Sequence, residues 1–190
     1  MNTENHFNAT FEKIIAIENK FNSIEYEDCI FKNCDFSQAI FSSCTFMNCE
    51  FIDCNLSAVQ LPNTSLKTVL FKNCKLIGIA FHACDDFLFE VAFEKCKLDF
   101  SSFDGKKMPS TKFADSTFLQ ATFEGTNLQK SVFRNCDLLH TLFENCNLSY
   151  CNFETASNYT IDPQLNIIKK AQFSLQGLPG LLQKFDLIIN

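Results

Sequence analysis

The stretch Cys29–Ser57, "CIFKNCDFSQAIFSSCTFMNCEFIDCNLS", repeats itself every five residues. Phe31, Phe36, Phe41, Phe46, Phe51 and Leu56 recur at that interval, each two residues after Cys29, Cys34, Ala39, Cys44, Cys49 and Cys54. A helix face returns after about 3.6 residues and a strand face after about two, so a period of five belongs to neither element. A chain that buries one large and one small side chain in every five residues must turn a corner each time. Four such segments close a square coil of 20 residues. Successive coils then hydrogen-bond at the inter-strand spacing of about 4.8 Å. The large residues become centres that point inward and stack, Phe31 over Phe51 over Phe71 on one face, with Phe41, Leu61 and Phe81 on another.

Worked outward from Cys29, the frame runs at strict fives from Phe11 to Phe81, slips by two residues near 85–88 within "HACDDFLFEV", and resumes from Leu88 to Phe153. Of these 29 centres 17 are Phe and nine are Leu, the others being Ala16, Tyr26 and Met108. The core is assigned to Phe31, Phe36, Phe41, Phe46, Phe51, Phe71, Phe81, Phe113, Phe123, Phe133, Phe143 and Phe153. Ten of the 11 cysteines stand two before a centre, and Cys84 would do so in the first frame. Cysteine there reads as a small hydrophobe. Cys29 and Cys49, or Cys34 and Cys54, stand one coil apart, within reach of a disulfide. Packed thiols in a reducing compartment are the reading preferred, because no secretory signal is visible in "MNTENHFNATFEK".

"CDFSQ", "CTFMN", "CEFID", "CNLSA", "CKLIG", "TNLQK", "CDLLH" and "CNLSY" resemble the motif of the pentapeptide-repeat family: a small residue, often Asp or Asn, then Leu or Phe, then two variable positions. The resemblance covers about 11–153 and implies a right-handed quadrilateral β-helix, all-β, a solenoid whose repeats touch only their neighbours. Roughly seven coils, a rod of about 35 Å, are expected. Residues 1–156 are taken as this solenoid and 157–173 as degraded repeats, with Ile168, Ala171 and Phe173 back in frame. Within 174–190, Leu178, Leu181, Leu182 and Phe185 recur at helical spacing behind Pro179, and the apolar run Leu187–Ile189 follows as a short strand. An open solenoid end must be covered, so a short C-terminal α-helix is expected as a cap. Similar family members dimerise through this end, which implies a homodimer built on Leu178, Leu181, Leu182, Phe185, Leu187 and Ile189.

Three places break the pattern. Asp85, Asp86 and Phe87 at the slip read as a bulge absorbed at a corner, or as an acidic contact loop. "DGKKMPST" puts Lys106 in a small inward slot, where an unpaired ammonium is costly. The coil is therefore expected to open and expose Lys106 and Lys107. Asn19 in another small slot predicts a loose first coil.

The net charge of −6 is carried by residues 1–61, with nine acids against three lysines, whereas 62–161 hold eleven acids against ten bases. Direct nucleic-acid binding, which needs a basic footprint, is not expected. No window approaches a membrane span. His6, His82 and His140 are scattered, CxxC spacing is absent, and no phosphate loop, nucleophile elbow or paired carboxylates stand in a cleft. No catalytic residue, metal site or cofactor is assigned; a cytoplasmic non-enzyme is expected.

"EYEDCIFKNCDFS" and "LLQKFDLIIN" are similar to the Qnr, fluoroquinolone-resistance type of the family, acidic dimeric rods that bind DNA gyrase or topoisomerase IV and protect them from poisons. That likeness implies mimicry of DNA by outward carboxylates, with Glu25, Glu27, Asp28, Asp35, Glu50, Asp53, Asp85 and Asp86 as candidates. The long inserted loops of Gram-negative Qnr proteins are absent from this sequence. The alternatives are a general interaction scaffold, hinted at by outward Ile30, Ile40, Met47, Ile52 and Leu70, and immunity against a self-made topoisomerase poison.

Overall fold

The computed structural model describes residues 4–188. They form a right-handed quadrilateral β-helix with a short helix at its C-terminal end. The four faces are named here by their centres in one coil: Phe31, Phe36, Phe41 and Phe46.

The Phe31 face carries the longest ladder. Thr10–Glu12, Ile30–Lys32, Glu50–Ile52, Val69–Lys72, Val91–Glu94, Lys112–Ala114 and Val132–Arg134 pair in parallel. Each step advances 20 residues, as in Phe31↔Phe51, except that Phe71 pairs with Phe93, a step of 22. The two extra residues are those of the sequence slip. Bridges Val132↔Asn152 and Asn152↔Gln172 carry the ladder past the last strong repeat.

Inside, the centres stack as the spacing predicts. On the Phe31 face Phe11, Phe31, Phe51, Phe71, Phe93, Phe113, Phe133, Phe153 and Phe173 lie with successive centroids 4.5–5.6 Å apart and planes within 15°. Rings of adjacent faces meet edge-on, as Phe31 and Phe36 do at 5.8 Å and 78°. Along the Phe31 face the rings from Phe11 to Phe153 thus have both of the arrangements their quadrupoles favour. The twelve phenylalanines assigned to the core are all buried. Phe11 and Phe21 in the first coil are only partly buried, and Ile14, Ile15 and Ile17 are exposed, so that end is looser.

At nearly every corner the residue two after the centre is left-handed, as at Asn33 (φ 53°), Asp53 (φ 56°) and Asn73 (φ 53°). Asn, Asp and Gly suit that conformation, and a larger Cβ is strained in it. Phe100 and Tyr150 adopt it nonetheless, both at φ 61°.

The small slot holds more than small hydrophobes. Its thiols and hydroxyls repeatedly donate to the carbonyl of the centre one coil below, 23 residues back: Cys54 Sγ to Phe31 O (3.4 Å), Thr141 Oγ1 to Phe118 O (2.7 Å), Ser131 Oγ to Met108 O (3.2 Å). A buried carbonyl with spare acceptor capacity thereby gains a partner. This is why Cys, Ser and Thr share the slot with Ala and Val.

Three sequence expectations are corrected. Leu88, taken as a centre, is 64% exposed in a left-handed corner, and Phe89 fills the inward place instead, because the two inserted residues shift the frame there. Lys106 is buried, at 1% exposure, rather than freed by an opened coil. Its ammonium reaches the Cys84 carbonyl and Asp86 Oδ1, the latter at 2.6 Å, and lies over the Phe89 ring; Lys107 is exposed. At the C-terminus no strand forms over 187–188, and Ile189 lies outside the described residues.

The C-terminal helix is one α turn, Pro179–Leu182, continued as a 3-10 turn, Gln183–Phe185. It docks through Tyr159: a Cβ on Gly177 would fall 1.8 Å from Tyr159 Oη, and one on Gly180 2.1 Å from the Tyr159 carbonyl oxygen. Ile161 N–H donates to Gly180 O at 3.0 Å, and Lys184 bridges to Asp162 at 2.8 Å. Leu181 packs on the core, Leu182 is half-buried, and Leu178, Phe185 and Leu187 are exposed.

Candidate interaction surface

The ring stacks fill the middle of the solenoid, where the space enclosed by Phe41, Phe51, Phe71 and Phe81 amounts to about 10 Å³; at the open first coil a cavity of about 290 Å³ is lined by Phe11, Phe21, Tyr26, Phe31 and Phe36.

The candidate acids fall on three faces. Glu25, Glu27 and Asp28 share the Phe46 face and its corner, where Asn5 Nδ2 donates to Glu25 at 3.2 Å. Asp85 and Asp86 lie on the irregular corner of the same face; Asp85 Oδ1 accepts from Phe87 N–H, and Asp86 is held by Lys106. Asp35 belongs to the Phe36 face. Desolvation alone would raise its pKa, but the Ser37 N–H, Asn55 and nearby Lys75 outweigh it and hold the carboxyl below the usual range. Glu50 sits half-buried on the Phe31 face between Ile30 and Leu70, and Asp53 at its corner accepts from Asn73. No single face collects them.

An acidic column does exist elsewhere. Asp104, Glu124 and Glu144 follow at intervals of 20, each just after a Phe41-face centre, on three successive coils. Asp104 Oδ1 accepts from Glu124 N–H at 2.8 Å and Oδ2 from the hydroxyls of Ser102 and Thr122. Reading the chain modulo 20 rather than modulo five would have revealed it.

Outward apolar residues are similarly divided: Ile30, Ile52 and Leu70 on the Phe31 face, Ile40 on the Phe41 face and Met47 on the Phe46 face, all half-buried. His6 stacks on Tyr26 at 5.3 Å, His82 Nδ1 pairs with Ser102 Oγ, and His140 occupies a left-handed corner. All eleven cysteines are free and buried. Burial pushes the thiols of Cys49, Cys84, Cys136 and Cys151 up to about 12. They are neither nucleophiles nor ready ligands near neutral pH.

Among the described residues no helix is long and apolar enough to cross a membrane. No curated protein matches the chain in sequence. A trypsin-treated form of QnrB1, a plasmid-mediated fluoroquinolone resistance protein, superposes with a TM-score of 0.69 at 15% identity, covering 95% of this chain and 100% of that one. Full-length QnrB1 gives 0.66 at 15% identity over 94% and 100%. At such identity the likeness is one of fold. Two family models match directly, one of a pentapeptide repeat region over 24–103 and one of pentapeptide repeats over 126–157. With the ladder register and the inward ring stacks, these matches make the chain a member of the pentapeptide-repeat family.

Proposed function

We propose that this chain is a non-catalytic rod that acts by binding a bacterial type II topoisomerase, DNA gyrase or topoisomerase IV, and shields it from quinolone-like poisons. The observation that carries this reading is the end-to-end match of the solenoid to QnrB1, 95% of one chain against the whole of the other. A rod whose middle is filled by packed rings offers mainly its walls. In this reading a face of the rod takes the place of DNA, and its outward acids, Glu25, Glu27 and Asp28 at one end and the Asp104–Glu124–Glu144 column further along, stand in for phosphates. The protein works in the cytoplasm as a homodimer joined at the C-terminal cap, where Leu178, Phe185 and Leu187 remain exposed.

The second reading, a scaffold for some other protein partner, is favoured by one observation: the acids are spread over several faces and interrupted by lysines such as Lys72, Lys75, Lys95 and Lys97. A supercoiling assay with purified gyrase, run with and without a quinolone, separates the two. Inhibition or protection at micromolar protein supports the first reading, and the absence of both removes it.

A further inference from the structure

The corner between the Phe31 and Phe36 faces carries a cluster of lysines at mid-rod. Lys72 and Lys75 belong to one coil and Lys95 and Lys97 to the next, and all four are exposed. Lys75 and Lys97 pair directly across the coils, and Lys72 faces Glu94 at 3.6 Å. Lys112, also exposed, pairs with Ala92 one coil further on. Among the described residues Lys72 is the one of these five in an ion pair. The acids that flank the corner keep their charge but make their hydrogen bonds to other groups. Asp99 accepts from the Thr117 hydroxyl at 2.8 Å and Leu119 N–H at 3.0 Å, and Asp115 from Arg134 at 3.0 Å and Asn135 at 2.9 Å; Asp53 accepts from Asn73. On a chain of net charge −6 the folding thus gathers lysines at one corner, of which Lys75, Lys95 and Lys97 are exposed and, among the described residues, in no ion pair.

Beside this corner the Phe31 face has a depression of about 370 Å³, largely apolar, its walls formed by Leu70, Lys112, Val132, Glu94 and Arg134 and its low centre by Ala92 and Ala114. Leu70↔Ala92↔Lys112↔Val132 is one outward column of the ladder, and Glu94↔Ala114↔Arg134 the next. The two alanines are small residues where their neighbours are large, and the space suits one or two apolar side chains. A bare polyanion would meet the lysines and leave this depression empty. A ligand that carries carboxylates next to a leucine or phenylalanine would use both.

We propose that this surface docks an acidic linear segment of another protein, with an apolar anchor seated over Ala92 and Ala114 and carboxylates on Lys75, Lys95 and Lys97. Exposed ion pairs contribute little singly and are screened by salt, so the anchor fixes position and the lysine cluster selects the partner's sign. The proposal stands whichever partner the rest of the rod recognises.

Fluorescence anisotropy with the full chain tests it. The probes are a labelled twelve-residue peptide with a central Leu-Phe pair flanked by Asp and Glu, the same peptide with every acid changed to its amide, and a twelve-nucleotide single-stranded DNA. The acidic peptide is expected to bind in the micromolar range. Binding falls at least ten-fold for the amide peptide and for the double variant Lys95→Asn, Lys97→Gln, and at least five-fold for Ala114→Gln, with thermal unfolding of the variants unchanged. The amide arm needs no variant to fold. No binding of the acidic peptide, binding that survives loss of the lysines, or tighter binding of the DNA would each overturn the proposal.

Discussion

The ammonium of Lys106 lies 2.6 Å from the carboxylate of Asp86, so the slot with the wrong chemistry closes on the place where the five-residue frame slips. Lys106 occupies the slot directly above Cys84, and the two inserted residues supply the acid that meets it. Asp86 is well exposed, which limits what the pair itself contributes. The buried ammonium is the sensitive partner. Asp86→Asn is expected to destabilise by about 1–2 kcal/mol, because the buried cation keeps the Cys84 carbonyl and the Phe89 ring but loses the carboxylate charge opposite it, and Lys106→Met to be near neutral or stabilising. Urea unfolding checks the order; Lys106→Met costing more than Asp86→Asn would contradict this account.

Phe51 sits between Phe31 at 4.6 Å and Phe71 at 5.1 Å. Phe51→Ala should cost about 3–5 kcal/mol through lost burial and a cavity between rings. Lys32→Ala, on the outer wall of the neighbouring coil, should change stability by less than about 0.5 kcal/mol. Comparable effects in the two variants would speak against the inward stack.

Phe100 is exposed and left-handed at once. Replacing it with Asn removes a large side chain from a conformation that disfavours one, and should stabilise by about 1 kcal/mol. Asn33→Ala, at an equivalent corner, should move the melting temperature the other way. A fall in melting temperature for Phe100→Asn would show that its ring has a packing role.

Burial raises the thiols of Cys136 and Cys151 to about 12, well above an ordinary thiol. A raised folded-state value means that the folded chain keeps its protons where the unfolded chain releases them. The associated stability is therefore whole below about pH 9 and declines as pH climbs towards 12. Cys96, whose pKa is lowered chiefly by its hydrogen bond with Cys74, opposes this as a single site. Unfolding free energies from pH 7 to 11 should fall at the alkaline end, and iodoacetamide at pH 8 should label the thiols only after unfolding. Rapid labelling of the native chain would refute the buried slot.

Gly177 and Gly180 lie where any Cβ would strike Tyr159. Gly177→Ala should lift the terminal helix, detected by proteolysis near residue 178, while the solenoid still unfolds cooperatively. Under the dimer proposal, sedimentation of Leu182→Glu should give a monomer; an unchanged mass would mean that the helix only covers the solenoid end.

The architecture was legible because one five-residue slot is filled by Phe or Leu throughout, and burial admits few alternatives for such a column. Lys106 was not, since its partner Asp86 lies 20 residues back across a slip that breaks the register arithmetic locally. Leu88 was misplaced for a related cause: inside the slip several frames fit, and Phe89 outcompetes it for the interior. The short strand expected around Leu187 rested on composition alone, with no neighbour to pair with. Of the surface, individual outward positions were legible, but their grouping was not, because neighbours on the wall stand 20 or 22 residues apart. The Asp104–Glu124–Glu144 column and the lysine corner are both of that kind.

Because Phe31 pairs with Phe51 and Phe113 with Phe133 at the same interval, this molecule can grow or shrink without disturbing its walls only in whole windings. Duplicating one would move the lysine corner away from the far tip by a fixed increment and leave every wall facing as before, like a link added to a chain. An insertion of any other size must be absorbed at a single bend, as the two extra residues beside Asp86 are.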